Sequence, residues 1–229
     1  MIAVVLQARL DSSRLPGKSL RPLGGEPLLF RVMEALGRLP CDLHILACPL
    51  DCVADFSPLA ERAAFEVIPG SKEDVLSRYG TAIRRFGIDR VIRATGDNPF
   101  VCIDAAVAIN QEALERNADY AGYSGLPYGA GVESVAADAL LRAEQEASLP
   151  AEREHVCPYL YNHPEGFLLH RPLAPRIWQG PDIRISVDTL EDFTRAETLY
   201  AALSALGDGE ARYQGATIIN TYTTIWTHR

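Results

Sequence analysis

Four basic residues lie within one short stretch of the chain, residues 9–21, where they face a single acid. The stretch reads RLDSSRLPGKSLR, and its acid is Asp11. The whole chain has a formal net charge of −8, so the charge of this stretch is opposite in sign to that of the protein. Such a local concentration of positive charge predicts that an anionic ligand binds here. The basic residues are Arg9, Arg14, Lys18 and Arg21.

The flanking segments indicate how this basic loop is positioned. Residues 2–6 have the pattern of a buried strand, and apolar residues recur at helical spacing over 27–38, behind Gly24 and Gly25. A strand, a basic glycine-containing loop and a helix form a common phosphate-binding arrangement. The run PGKS at 16–19 breaks the P-loop pattern, because Ser12 stands where that motif needs its first glycine.

Two acidic residues follow apolar segments that are typical of strands. Asp97 lies in TGDNP after RVIRAT, and Asp188 follows RISV. A carboxylate just past a strand end can hold a divalent cation that also contacts nucleotide phosphates. Gly-Asp-Asn-Pro is also favourable turn chemistry, but the nearby basic loop favours metal binding. Thr189 and Asp192 form a T-x-x-D capping pattern, which leaves Asp188 free to face a cleft.

The order of the predicted elements indicates the fold. Strands are predicted near 2–6, 43–48, 65–68 and 89–94. Helices are predicted near 27–38, 53–63, 74–86 and 104–116. This alternation predicts an α/β fold with a mostly parallel sheet and helices on both faces. Ligands of such sheets bind beyond the carboxyl ends of the strands. The residues predicted there are Arg9, Arg14, Lys18 and Asp97.

The second half of the chain begins with a glycine-rich break, GYSGLPYGAG at 122–131. Later elements are predicted as a strand near 132–136, helices near 137–147 and 151–162, and a strand near 167–172. We interpret 122–180 as an inserted arm within a single domain, 1–229, that carries acceptor and dimer contacts.

The helix near 74–86 is predicted to begin with a capping box from Ser71 to Asp74. The tail TIINTYTTIW at 217–226 has a strand-like composition.

Composition excludes several classes of protein. The chain has 229 residues, of which 48% are hydrophobic and 23% charged, as in ordinary globular domains. It has no apolar run near the roughly 20 residues needed to span a membrane. Its first residues are typical of a core strand rather than a leader, so a cytoplasmic location is expected. The sequence pI of about 5.2 disfavours general nucleic-acid binding.

Five cysteines without CxxC pairs indicate reduced thiols. Cys41, His44, Cys48 and Cys52 are close enough in sequence to suggest a zinc site. The run LHILAC is more typical of a strand, which favours scattered structural thiols instead.

Several of these motifs together resemble those of CTP-dependent cytidylyltransferases that activate sugars. The similarity is to CMP-Kdo synthetases and, more closely, to the spore-coat polysaccharide biosynthesis protein F group. It begins with QARLDSSRLPGKSLRPLGGEPLL and extends to about residue 203. The later matching motifs are EDVLSRY at 73–79, RATGDNPFVCID at 93–104, EREHVCPYLYNHPEGF at 152–167 and RISVDTLEDF at 184–193.

The resemblance implies a nucleotide-diphospho-sugar transferase-like fold, CTP as a substrate, Mg²⁺ as a cofactor and a homodimer. It implies that Asp97 and Asp188 bind the metal, and that Arg9, Arg14 and Lys18 hold the triphosphate. These residues are the expected catalytic set. The nucleotide is expected to contact Gln7, Ala8, Arg9, Ser13, Arg14, Lys18 and Arg78. For Arg78 the alternative is a solvated side chain on the exposed face of its helix.

The implied reaction transfers CMP to an acidic sugar and releases pyrophosphate. Gly131 stands where related sequences often have an aspartate, so the acceptor contacts of this chain are expected to differ. Arg153, Glu154 and His155 could contact an acidic sugar, contribute to a dimer, or form a solvated helical face. Two other functions stay open: a glycosyltransferase that uses a nucleotide-sugar donor, and a non-catalytic nucleotide-binding regulator.

Overall fold

The computed structural model describes residues 1–207 and 209–226, and its elements alternate as the sequence predicts. The strands are β1 (Ile2–Gln7), β2 (Pro22–Leu23), β3 (Glu26–Pro27), β4 (Leu43–Pro49), β5 (Glu66–Gly70), β6 (Arg90–Thr95), β7 (Tyr120–Ala121), β8 (Glu133–Ala136) and β9 (Leu169–His170). The helices are α1 (Leu28–Leu36), α2 (Val53–Arg62), α3 (Val75–Phe86), α4 (Ile103–Glu115), α5 (Ala137–Glu146), α6 (Pro150–His155), α7 (Pro158–Asn162), α8 (Leu190–Ser204) and α9 (Gly215–Trp226).

Seven strands form one sheet in the order β5-β4-β1-β6-β8-β7-β9, and β2 and β3 form a separate hairpin. The first four strands of that order are parallel, with Val4 of β1 opposite His44 and Ile92. β8 runs antiparallel to both β6 and β7, whereas β9 is parallel to β7. The predicted α/β fold with a mostly parallel sheet is therefore confirmed.

The central strand β1 is buried on both faces, as expected for a parallel sheet covered by helices. Ala3 and Val5 pack with residues of α3 and α5 on one face. Val4 and Leu6 pack with residues of α1, α2 and α4 on the other. All four side chains are fully buried. The strand β1 is therefore packed between two apolar layers. This packing fixes the point at which the basic loop begins.

The segment 122–180, predicted as an inserted arm, contributes to the main sheet and to one of its faces. Its strand β8 pairs with β6, and β9 pairs with β7 at the edge of the sheet. Its helices α5 and α7 pack in the same apolar layer as α3. An acceptor or dimer contact made by this segment stays a prediction. In the described part of the chain, no helix has the length and apolar character needed to cross a membrane.

The tail 217–226 is helical, so the strand suggested by its composition is wrong. The helix α9 begins at Gly215, whose amide donates to Asp104 Oδ1 over 2.8 Å. Ile218 is buried in a third apolar cluster, between α8 and the loop that contains Phe100. A cap from a distant residue and one buried face thus outweigh the strand preference of the threonines and isoleucines.

Four other local predictions differ from the structure. The predicted helix 151–162 is two helices, because Val156 leaves the helical conformation and Pro158, which has no amide donor, begins α7. The predicted capping box of α3 is displaced: Asp74 is the N-cap and accepts from the Ser77 amide, while Ser71 only caps the preceding turn.

The segment before Asp188 is extended but is not a strand. Its β-type pairing is a single bridge from Arg184 to Tyr128. The predicted strand 167–172 is also shorter, because Pro172 has no amide to continue a ladder. The T-x-x-D box at Thr189 and Asp192 is present as predicted and begins α8.

The five cysteines are free thiols, and all except Cys41 are buried. Burial raises the pKa of Cys48 and of Cys102 to about 12, so both remain protonated at neutral pH. These side chains behave as small apolar core residues.

Asp104 connects the α9 region to the rest of the fold, which gives a stability prediction. Its Oδ1 accepts from the Gly215 amide and its Oδ2 from Trp178 Nε1, over 2.8 Å in each case. We expect Asp104→Ala to lower the free energy of unfolding by about 1–3 kcal/mol, because it leaves both donors without this acceptor. Urea unfolding followed by tryptophan fluorescence measures the change. Asp138→Ala, at an exposed aspartate in the first turn of α5, is the control and should shift stability by less than about 0.5 kcal/mol.

Candidate active site

A cavity opens beyond the carboxyl ends of the neighbouring strands β1 and β6. Its walls are the basic loop after β1, the TGDNP loop after β6 and the extended segment before α8. Its volume is about 500 Å³, within the roughly 300–1,000 Å³ of small-molecule sites. This is the edge of the sheet at which the sequence predicts a ligand.

Every catalytic or nucleotide-contacting residue predicted from the sequence lines this cavity. The residues are Gln7, Ala8, Arg9, Ser13, Arg14, Lys18, Arg78, Asp97 and Asp188. Arg21, the fourth basic residue of the loop, does not line it. The fold therefore brings the candidates together, while their roles in binding and catalysis stay predictions.

The Lys18 ammonium lies between the two predicted metal ligands. Its Nζ is 3.3 Å from Asp97 Oδ2 and 3.2 Å from Asp188 Oδ1, and it donates to the Val187 carbonyl over 2.8 Å. The Lys18 side chain is 13% exposed. An enclosed charge of this kind must be paired, and two carboxylates from distant parts of the chain pair it.

The other two cations of the loop lie nearer to solvent. Arg14 Nη2 donates to Asp188 Oδ1 over 2.9 Å, and Arg9 Nη1 donates to Glu154 Oε1 over 3.2 Å. Their side chains are 62% and 51% exposed, so these contacts are weak and readily exchanged for a stronger anion. An anion entering the cavity would meet the exposed Arg9 and Arg14 first and the more buried Lys18 afterwards.

The start of α8 holds Asp188 in place. Asp192 Oδ2 accepts from the Asp188 amide over 3.1 Å and from the Thr189 amide over 2.9 Å. Although burial opposes its ionisation, hydrogen bonds from Thr189 and the two amides, together with Arg184, lower the pKa of Asp192. The carboxylate of Asp188 is free of the cap and points into the cavity, as the capping pattern predicts.

Arg78 is buried against the end of β4, so the alternative of a solvated side chain is wrong. It is 2% exposed, its Nη1 donates to the Ala47 carbonyl over 3.0 Å, and its Nε has no hydrogen-bond partner. No carboxylate of the described residues forms an ion pair with it, and burial lowers its pKa. A Cβ on Gly70 would lie 2.6 Å from Arg78 Cγ, so glycine is needed beside it. An enclosed cation without an acid partner favours an anionic or carbonyl-bearing ligand.

A polar network that sequence reasoning did not predict lies at the cavity floor. Arg93 pairs with Glu133, and its Nε donates to Gln7 Oε1 over 3.1 Å. The hydroxyl of Tyr79 donates to the same Gln7 oxygen over 3.1 Å, and Tyr120 donates to Glu133 over 2.7 Å. Although burial disfavours its charge, Glu133 raises the pKa of Arg93. The signal available in the sequence was an arginine inside the apolar strand RVIRAT.

The residues Arg153, Glu154 and His155 separate in the structure. Arg153 turns away from the cavity, donates to the carbonyls of Glu144 and Ala147, and pairs with Asp74. Glu154 and His155 line the cavity. Among the described residues the His155 imidazole has no hydrogen-bond partner, so it is available to a ligand.

Sequence reasoning also missed the cavity wall formed by the glycine-rich break. Tyr128 is exposed at the cavity mouth, with the Arg184 guanidinium 4.4 Å from its ring centre. Gly129 has φ = +98°, and a Cβ there would lie 2.6 Å from the Ser186 amide. Only glycine fits such a close approach of two backbones. The run of glycines at 122–131 was the available signal.

The structure does not assemble the zinc site suggested by Cys41, His44, Cys48 and Cys52. Cys41 Sγ lies 3.4 Å from His44 Nε2, but Cys48 and Cys52 are buried in the apolar layer near β4. Residues 1–207 and 209–226 contain no cluster of three or more His, Cys, Asp or Glu side chains that could hold a metal ion. A metal at Asp97 and Asp188 would therefore need ligands from another molecule.

Known proteins resemble this chain in sequence over most of its length. The cytidylyltransferase family model matches residues 3–218. The spore coat polysaccharide biosynthesis protein SpsF of Bacillus subtilis is 32% identical over 206 residues, which cover 87% of this chain and 86% of that protein.

Two solved structures share the fold. A cytidylyltransferase from Leptospira borgpetersenii superposes with a TM-score of 0.85 at 23% identity, over 99% of this chain and 94% of that one. A CMP:2-keto-3-deoxy-manno-octonic acid synthetase complexed with CTP gives a TM-score of 0.67 at 18% identity, over 87% of this chain and 98% of that one. The family match over nearly the whole chain, and a relative of similar length, show that this protein belongs to the cytidylyltransferase family and is a nucleotidyltransferase.

Proposed function

We propose that this protein transfers CMP from CTP to an acidic sugar, with release of pyrophosphate, in the synthesis of a surface polysaccharide or glycan. The observation that carries the proposal is the cavity in which Arg9, Arg14 and Lys18 face Asp97 and Asp188. The polysaccharide context is that of the Bacillus subtilis relative, and CTP is the ligand of one structural neighbour.

In the proposed reaction, an acceptor hydroxyl attacks the α-phosphorus of CTP and expels pyrophosphate. No covalent enzyme intermediate is needed, so the protein contributes positioning and neutralisation of charge. Arg9, Arg14 and Lys18 would bind the triphosphate and stabilise the negative charge of the departing pyrophosphate. Arg78, enclosed beside β4 without an acid partner, would contact the base or a phosphate.

The donor set at Asp97 and Asp188 fits Mg²⁺. This ion is commonly held by one or two carboxylates together with substrate phosphates, and the two aspartates face each other across a single ammonium group. Asp97 and Asp188 would hold the ion, with the nucleotide supplying phosphate oxygens. When bound, Mg²⁺ polarises the α-phosphate and lowers the pKa of an acceptor hydroxyl.

The cavity floor supports an oxygen-rich, anionic acceptor. Gln7 Oε1 accepts from both Tyr79 and Arg93, and an arginine N–H can only donate, so the orientation of the Gln7 amide is fixed. Gln7 lines the cavity, and its amino group has no hydrogen-bond partner in the described residues. Together with Arg93 and His155 it offers hydrogen-bond donors, which suit a carboxylate and hydroxyl groups.

A cytoplasmic location and a homodimer complete the proposal. The exposed Leu168 and Leu173 in the segment 122–180 support the use of that segment as a dimer contact. Light scattering of the purified protein tests the homodimer: a mass near twice the 25.1 kDa of the chain supports it, and a mass near 25.1 kDa contradicts it.

Nucleotide choice is the first test of the proposal. We expect calorimetric titration in magnesium buffer to show binding of CTP and much weaker binding of UTP, GTP and ATP. An acceptor screen that follows pyrophosphate release should then detect turnover with acidic sugars. Silence toward all four triphosphates, with release of a nucleotide from a nucleotide sugar, would indicate a glycosyltransferase. Binding of CTP without turnover across a broad acceptor panel would indicate a regulator.

The two aspartates should matter more for turnover than for folding. We expect Asp97→Asn and Asp188→Asn to lower kcat by about 10²–10³-fold, since each removes a carboxylate that would hold the Mg²⁺ ion at the reacting phosphates. Their melting temperatures should change little by comparison. Asp182→Asn, at an exposed aspartate near Asp188 in sequence, is the matched control and should keep full activity. Full activity of both variants in magnesium would refute the mechanism.

The resemblance assigns Gln7 to the nucleotide, whereas its place at the cavity floor supports a contact with the acceptor, and Gln7→Glu distinguishes these two roles. The new carboxylate keeps an oxygen for Tyr79 and Arg93 but replaces a donor with a negative charge. We expect the KM for an acidic acceptor to rise by about tenfold or more, because like charges are then juxtaposed, while CTP affinity changes less than about threefold. The neutral control Gln7→Met should give a smaller rise in that KM. An equal loss of affinity for CTP and acceptor would instead assign Gln7 to the nucleotide.

A further inference from the structure

Lys18 occupies the space between the two carboxylates that the proposed function assigns to the metal. A lysine ammonium has three N–H donors. The acceptors within hydrogen-bond distance are Asp97 Oδ2, Asp188 Oδ1 and the Val187 carbonyl, so every donor of Lys18 is used. The ammonium is therefore held by three oxygen atoms, in the way that a bound metal ion would be.

The same carboxylates are already neutralised by protein cations. Asp188 Oδ1 accepts from Arg14 as well as from Lys18, and its Oδ2 accepts from Arg184. In the described residues, Lys18 is the ion-pair partner of Asp97. A divalent ion approaching the free protein would meet three positive side chains around the pair of acids. Like charges at such short distances repel, which disfavours its binding.

We propose that Lys18 is an internal counterion that excludes a divalent cation from the Asp97–Asp188 site until a triphosphate draws the lysine away. This inference rests on the proposed function, since it takes the two aspartates as the metal ligands. Phosphate oxygens form strong charge-assisted bonds with lysine and arginine, so they compete for Lys18 and Arg14. Their departure releases Asp97 Oδ2 and Asp188 Oδ1, the two oxygens that Lys18 had occupied.

If Lys18 acts in this way, the affinity of the protein for the nucleotide and its affinity for the metal depend on each other. By linkage, a nucleotide that raises the affinity for the metal must have its own affinity raised by the same factor. The free protein would keep its two aspartates paired and in place, which avoids repulsion between them when no metal is bound. It would also avoid holding a reactive metal centre before a substrate is present.

The test measures binding of Mn²⁺ to the nucleotide-free protein, using the loss of the free-ion signal in electron paramagnetic resonance. The variants are Lys18→Met, Lys18→Met combined with Asp97→Asn, and the control Arg21→Met. Arg21 is a basic residue of the same loop that does not line the cavity, so its loss changes the net charge equally. Lys18→Gln, which can still donate to the Val187 carbonyl, serves if Lys18→Met does not fold.

We expect wild type and Arg21→Met to bind Mn²⁺ weakly, and Lys18→Met to bind it about tenfold more tightly or better. That factor lies within the roughly 5–150-fold typical of coupling between sites. The double variant should return to the wild-type affinity, because the gained site needs Asp97. Tight Mn²⁺ binding by wild type, an equal gain in Arg21→Met, or a gain that survives in the double variant would each overturn the proposal.

Calorimetric titration of wild type with CTP in EDTA separates this inference from the proposed function. Binding of CTP without metal supports the step in which phosphates engage Lys18 and Arg14, and Lys18→Met should then weaken that binding. If CTP binds neither in EDTA nor in magnesium buffer while Lys18→Met still gains Mn²⁺ affinity, the proposed function fails and the exclusion of the metal by Lys18 stands. If Lys18→Met gains no Mn²⁺ affinity, the inference fails whatever CTP does.

Discussion

The pairing of Lys18 with Asp97 and Asp188 is the interaction on which the arrangement of the site depends. Three segments that are far apart in sequence meet there: the loop after β1, the loop after β6 and the extended segment before α8. The Val187 amide also donates to the Asp97 carbonyl over 2.8 Å, which fastens two of these segments by their backbones. A nearly enclosed ammonium is costly unless it is paired, so this pairing favours the arrangement in which the three segments lie together at the site.

Two enclosed arginines on the same side of the sheet show how the environment separates structural from ligand-binding charges. Arg93 is neutralised by Glu133 and fixes the amide of Gln7, so its charge is largely balanced within the protein. Arg78 has a backbone carbonyl for one nitrogen and no acid partner among the described residues. The unbalanced charge of Arg78 is available to a ligand, whereas Arg93 shapes the floor on which the ligand would rest.

The turn between α6 and α7 shows strain retained next to the cavity. Val156 has φ = 73° and is fully buried, although a β-branched residue strongly disfavours positive φ. The Cys157 amide donates to the His155 carbonyl over 2.9 Å, which closes a tight γ-turn. The turn keeps Glu154 and His155 at the cavity while Cys157 enters the core. Strained backbone of this kind persists where the surrounding packing holds it and is concentrated at functional sites.

The sequence by itself determined the parallel part of the sheet, because its strands and helices have strong hydrophobic periodicity and bury separate faces. It also determined the edge at which Arg14, Lys18 and Asp97 would meet, since parallel strands end on the same side. Only the tertiary structure decided that the tail is helical, because its cap comes from Asp104, far away in the chain. The burial of Arg78 and the pairing of Arg93 with Glu133 were likewise decided by packing between distant elements, which local periodicity does not encode.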